Sequence, residues 1–231
     1  MGVGIILTFA LYLALLYLIG FVVSRLIIYS ENSCADSGHH SNRHLFSFSR
    51  IFSVLSELLL LKRLMKANPL LWVGEWLFHV SFVFVLLRHL RYFMEPAPAW
   101  LFDFEVFGII SGFILFVSLI FILAVKLLVE RAYLSSYNFS LLAMLVVISA
   151  TGLLMTMIFK TDLVEIKFFS MGMATFAPQA LHDSGLFLSH FIAFLVFVLF
   201  LPSHIFTAPI TILEAFRRDE ELETIMHDET K

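Results

Sequence analysis

A single cysteine, Cys34, stands among the 231 residues. An intrinsic iron–sulfur cluster needs about four thiolates, and covalent haem attachment needs a C-x-x-C-H run. Both are excluded, so any metal held by this chain is bound through histidine or carboxylate, and Cys34 reads as a plain loop thiol. Charge is scarce as well. Charged residues make up 14% of the chain, against about 25% in an ordinary soluble domain. No basic patch interleaved with exposed aromatics is present, which argues against nucleic acid as a partner. No internal repeat of the kind that builds many transporters is visible. No basic residue precedes Arg25, and the first apolar run is longer than the core of a removable signal, so it reads as a retained helix.

What fills the chain is apolar sequence: 60% of residues are hydrophobic and the mean hydropathy is +0.94. A bilayer-spanning helix needs roughly 20 apolar residues. Five segments qualify, at about 2–28, 70–93, 105–129, 138–159 and 184–210. The expected fold is therefore an all-α integral membrane protein, a bundle of five transmembrane helices. Its bundle domain covers 1–216, including an inner loop and interfacial helix at about 30–69, and a charged tail follows at 217–231. With five spans, eleven of the fifteen basic residues fall on one side (Arg25, Arg43, Arg50, Lys62, Arg63, Lys66, Lys126, Arg131, Arg217, Arg218 and Lys231). Arg88, Arg91, Lys160 and Lys167 fall on the other. The positive-inside rule then places the N-terminus outside and the C-terminus in the cytoplasm.

The loop between the first two segments divides in two. "SENSCADSGHHSNRH" is polar. "FSRIFSVLSELLLLKRLMKANP" reads as an amphipathic helix that lies on the membrane surface, serves as a platform for a cytoplasmic subunit, or does both. His39, His40 and His44 in that loop, and His227 in the tail, lack regular metal-ligand spacing and read as solvated.

The five remaining histidines fall on two segments or their ends. His79 and His89 are on the second; His182 stands just before the fifth, which carries His190 and His204. At 1.5 Å rise per residue the first pair is about 15 Å apart along the axis, the second about 21 Å. The two segments run antiparallel, so His79 and His204 lie toward the cytoplasm and His89 and His190 toward the outside. One imidazole from each helix at each of two levels is the ligand set of two stacked haems in a bundle interior. Helix tilt or a kink at Pro202 would accommodate the unequal intervals. A membrane histidine is also commonly a hydrogen-bonded core residue; the pairing at matched depths is what favours ligation here. Gly108, Gly112 and Gly152 on the third and fourth segments allow close approach of a helix or a flat ligand.

The stretches "FHVSFVFVLLRHLRYF…EPAP" and "FLSHFIAFLVFVLFLPSHIFTAPI" resemble the nitrate reductase gamma-subunit family of dihaem b cytochromes over the second to fifth segments. The "RHLRYFMEP" ending resembles one branch more closely. That branch holds the cytochrome b subunits of the Dsr and Hmc complexes of sulfate reducers and of membrane heterodisulfide reductase. The resemblance implies two haem b groups between the second and fifth helices, an inner one on His79 and His204 and an outer one on His89 and His190. It implies a quinone near the outer haem, menaquinone for this branch, and a cytoplasmic iron–sulfur partner with other membrane-complex subunits. It implies the cytoplasmic membrane of a prokaryote. The chain departs from the nitrate reductase pattern in three ways. The ligand interval on the fifth segment is about one turn shorter, "FDFEVFGII" lacks that family's lysine near the quinone, and Arg88 replaces a small residue beside the outer ligand.

Arg88 and Arg91 have two open readings, snorkelling to the interface or contact with the outer haem propionate or the quinone. His182 is a proton relay for quinol or an ordinary interface histidine. The expected function is a quinol-linked electron-transfer subunit of an oxidoreductase complex. The alternatives are a gamma subunit feeding a molybdoenzyme, a non-redox anchor, and a proton-conducting subunit. The last is disfavoured by the absence of ionisable residues at depth on the first, third and fourth segments.

Overall fold

The computed structural model describes residues 2–36, 52, 55–57, 59–129, 131, 134–181, 185–202 and 204. Among them all regular structure is helical. The elements are α1 (Gly2–Asp36), α2 (Lys62–Ala67), α3 (Pro69–His89) with a 3-10 turn at Leu90–Tyr92, α4 (Ala99–Asp103), α5 (Glu105–Leu128), α6 (Ser136–Met157), α7 (Leu163–Ala174) and α8 (Gly185–Pro202). Among the described residues five helices are long and apolar enough to cross a membrane: Gly2–Arg25 of α1, Pro69–Tyr92, α5, α6 and α8. These match the five expected segments to within a few residues, except that α8 is described only to Pro202, short of the expected end near 210.

Local chemistry sets the helix starts. Asn68 accepts the Leu71 N–H at 3.0 Å and Pro69 occupies the first helical position of α3, where its missing N–H costs nothing. Ser135 accepts the Asn138 N–H at 3.2 Å to open α6. Asp162 accepts the Val164 and Glu165 N–H groups to open α7. Each cap satisfies donors that the first helical turn leaves free.

Two apolar clusters hold the bundle. The first joins α3, α5, α6 and α8 through Phe78, Leu119, Ile122, Leu145 and Phe197, with Leu119 and Ile122 fully enclosed. The second joins α1, α7 and α8 through Leu7, Phe169, Met173, Phe187 and Phe191. α8 is thus shared by both. Gly74 fixes the approach of α3 to α5: a Cβ there would lie 2.8 Å from Phe121 Cδ1 and 2.9 Å from Ile122 Cγ1. Small residues at such crossings let helix backbones come close where lipid supplies no hydrophobic drive.

Three features differ from the sequence expectation. α1 continues to Asp36, so Cys34 lies on a helix rather than in a loop. The surface helix expected up to Pro69 is broken, because Leu61 adopts a left-handed conformation (φ 48°) before α2 begins. α7 was not foreseen. Its twelve residues are too few to span a bilayer, yet Phe169 is fully buried, Tyr12 on α1 donates its hydroxyl proton to the Met173 carbonyl at 2.8 Å, and Lys167 pairs with Glu95. The tail at 217–231 and the loop and tail histidines His39, His40, His44 and His227 lie outside the described residues.

Candidate functional site

α3 is the spine of the site. His79 and His89 are both on it, and each ring is tied to its own helix in the same way. His79 Nδ1 lies 2.6 Å from the Glu75 carbonyl and His89 Nδ1 lies 2.7 Å from the Val85 carbonyl. A carbonyl oxygen only accepts. Both Nδ1 atoms therefore carry the proton, and in the neutral ring Nε2 keeps its lone pair. This is the arrangement found at metal-binding imidazoles, where the second nitrogen fixes tautomer and ring orientation.

The fold brings the expected partners together. His204 faces His79 with ring centres 6.4 Å apart and planes 14° from parallel. Metal–imidazole bonds are about 2 Å long, and a ring centre lies a little over 1 Å behind its nitrogen, so imidazoles on opposite sides of one metal ion sit about 6 Å apart. His190 lies within electrostatic reach of His89. As whole residues His79, His89 and His204 are exposed and His190 is half-buried. No group of three or more His, Cys, Asp or Glu able to hold a bare metal ion occurs among the described residues. The donors come in twos, which suits a macrocycle that already supplies four ligands and not a free cation.

α5 and α6 back the two levels. Gly152 on α6 lies against His190, where a Cβ would stand 3.3 Å from the ring Cε1. Thr151 Oγ1 lies 3.0 Å from His190 Nδ1. Gly108 on α5 receives the stem of Arg88, which a Cβ would overlap, and Gly112 approaches Leu153 at ordinary contact distance. Of the three glycines expected to permit close approach, Gly108 admits a side-chain stem and Gly152 an imidazole, whereas the space at Gly112 would also take a Cβ.

Charged groups cluster at each level. Beside His79, Glu75 pairs with Lys126 of α5 at 3.0 Å, both side chains being largely enclosed. The third segment, expected to lack ionisable groups at depth, carries one: Lys126, near its end, turns inward to meet Glu75. Beside His89, Arg88 and Arg91 share one carboxylate, Glu105, at 3.9 and 3.5 Å. Arg91 also donates to the Tyr92 hydroxyl at 2.8 Å and lies over the Tyr92 ring. Its Nε is buried without a hydrogen-bond partner. Both arginine side chains thus pack largely within the protein, against a half-exposed Glu105. His182 lies outside the described residues.

The chain is 32% identical over 151 residues to the Hdr-like menaquinol oxidoreductase cytochrome b-like subunit of Archaeoglobus profundus, covering 57% of this chain and 44% of that protein. It is 33% identical over 119 residues to the subunit of the same name in Archaeoglobus fulgidus, covering 46% of this chain and 36% of that protein. The matched region spans less than half the length of either relative. No family model matches the chain, and no solved structure matches it. These relatives support the heterodisulfide-reductase-like branch of the expected resemblance and do not support the link to nitrate reductase gamma subunits.

Proposed function

We propose that this chain is a membrane cytochrome b subunit of a menaquinol-linked oxidoreductase, exchanging electrons between menaquinol near the outer face and a cytoplasmic iron–sulfur subunit. The observation that carries the reading is the facing of His79 and His204, with the His79 Nδ1 proton committed to the Glu75 carbonyl and its Nε2 left as a donor. The names of the two relatives support the redox class and the quinol.

In this reading His79 and His204 hold an inner haem b, and His89 and His190 an outer one. Haem bound by two imidazoles supplies one-electron redox chemistry, whose potential the protein tunes by ligand hydrogen bonds and burial. The chain's residues do the rest. α3 and α8 set the two ligand levels, and the Glu75 and Val85 carbonyls lock two ligand tautomers. The Glu75–Lys126 pair leaves no uncompensated charge beside the inner level.

Arg88 and Arg91 bring two positive charges against the single negative charge of Glu105. The surplus charge and the orphan Arg91 Nε suit an acceptor beside His89, a haem propionate or a quinone carbonyl. His182 is a candidate for passing the quinol proton to the outer face. The basic-residue asymmetry supports an orientation with His89 and His190 on the outer side and the N-terminus outside, in what we read, from the resemblance, as the cytoplasmic membrane of a prokaryote.

Paired substitutions test the ligand sets. His79→Leu and His204→Leu are expected to remove the same b-type spectral component, and His89→Leu and His190→Leu the other. Loss that crosses these pairs would refute the assignment.

A further inference from the structure

His190 is held differently from the two histidines of α3. Those are tied by Nδ1 to a carbonyl one turn back on their own helix. His190 reaches instead across to a neighbouring helix, where Thr151 Oγ1 stands 3.0 Å from its Nδ1. The same hydroxyl lies 2.8 Å from the Val147 carbonyl and 3.0 Å from the Ile148 carbonyl. A threonine hydroxyl has one proton to donate and two lone pairs. Its shortest contact is to Val147, the usual back-bond of a helical threonine. With the proton there, the lone pairs face the imidazole, and Nδ1–H donates to Oγ1. The Ile148 carbonyl beside the same ring is also only an acceptor, so every polar neighbour on that edge calls for a protonated Nδ1. Gly152, the next residue, removes the Cβ that would crowd the ring.

We infer that Thr151 is the positioning residue of the outer redox site: it fixes the His190 tautomer that leaves Nε2 free to bind iron and, through the Nδ1–H bond, sets the potential of the haem held there. The inference rests on His190 being a ligand. A hydrogen bond from Nδ1–H makes the imidazole a more basic ligand, and a more basic ligand favours ferric over ferrous iron. Removing the acceptor therefore raises the potential, and only at one of the two haems.

The test is potentiometry and low-temperature EPR of the purified, haem-loaded full chain carrying Thr151→Val, Thr151→Ser or His190→Ala. Thr151→Val keeps the shape and removes the acceptor. It is expected to favour the reduced form of one haem about fivefold, a rise of about 40 mV at about 59 mV per tenfold for one electron, to move that haem's low-spin signal, and to leave the other haem unchanged. Thr151→Ser is expected to restore both. Selective loss of the same haem in Thr151→Val, restored by Thr151→Ser, also supports the role. If Thr151→Val changes neither haem, or shifts both alike, while His190→Ala removes one, Thr151 has no positioning role and the ligand assignment stands. If His190→Ala removes neither haem, the ligand reading and this inference both fall.

Discussion

The chemistry of single residues turns on which nitrogen of an imidazole is free. Two of the four histidines show this through carbonyl contacts that only a protonated Nδ1 can make. The placement of His79, His89, His190 and His204 at two levels was legible in sequence, because spacing and antiparallel direction determine depth. Their second-nitrogen partners were not. Thr151 looks like an ordinary helical polar residue until azimuth places it against His190, and in the same way the Glu75 side chain does not announce its pairing with Lys126. The Glu75–Lys126 pair makes a testable claim. Lys126→Met strands a largely enclosed carboxylate, and breaking such a pair one-sidedly costs more than replacing both partners. We expect Lys126→Met to lower stability by about 1–3 kcal/mol, discounted for partial exposure. The double variant Glu75→Gln/Lys126→Met is expected to recover most of it in thermal unfolding of the detergent-solubilised chain. Equal loss in single and double variants would show that the charge pairing is not the cause.

At the scale of elements, helix–helix contacts divide into those that sequence marks and those that it hides. Gly108 and Gly152 were recognisable as sites of close approach, but sequence does not say what approaches; the structure answers with the Arg88 stem and the His190 ring. Gly74 does the same work between α3 and α5, and nothing in its apolar neighbours marks it. Gly74→Val is expected to overpack that crossing and cost about 1–3 kcal/mol, read as a lower melting temperature, whereas Gly20→Val, with open space around it, is expected to leave the melt nearly unchanged. α7 escaped detection because its apolar run is too short for a span and its neighbours are long-range: Phe169 meets Phe187 and Phe191 in edge-to-face contacts. Phe169→Ala removes a fully enclosed ring and is expected to cost about 3–5 kcal/mol, with faster hydrogen exchange in α7 before the rest of the bundle. Exchange that rises uniformly would mean α7 is not a separate docking unit. The break at Leu61 was hidden for another reason. Nothing in an apolar leucine run announces a left-handed residue, a conformation that leucine seldom adopts.

At the scale of the whole molecule, the five-span architecture followed from hydropathy alone, because a bilayer admits few other solutions for such sequence. Orientation rests on the uneven distribution of lysine and arginine, and the lone cysteine provides a handle on it. Cys34, beyond the basic end of the first span, is expected to react with a membrane-impermeant maleimide in inside-out vesicles and not in intact cells; the opposite pattern would invert the two haem levels relative to the membrane. The matched region covers less than half of either Archaeoglobus relative, so the partner and the quinol are part of the proposal and are tested with it. The central claim is that four histidines on two helices form two haem sites, and the most direct measurement is the haem content of the purified chain by pyridine haemochrome, normalised to protein. About two b-type haems per chain are expected, falling to about one when either member of a pair is replaced. A chain purified in folded form without haem, or one whose haem content is unchanged by all four histidine substitutions, would contradict it.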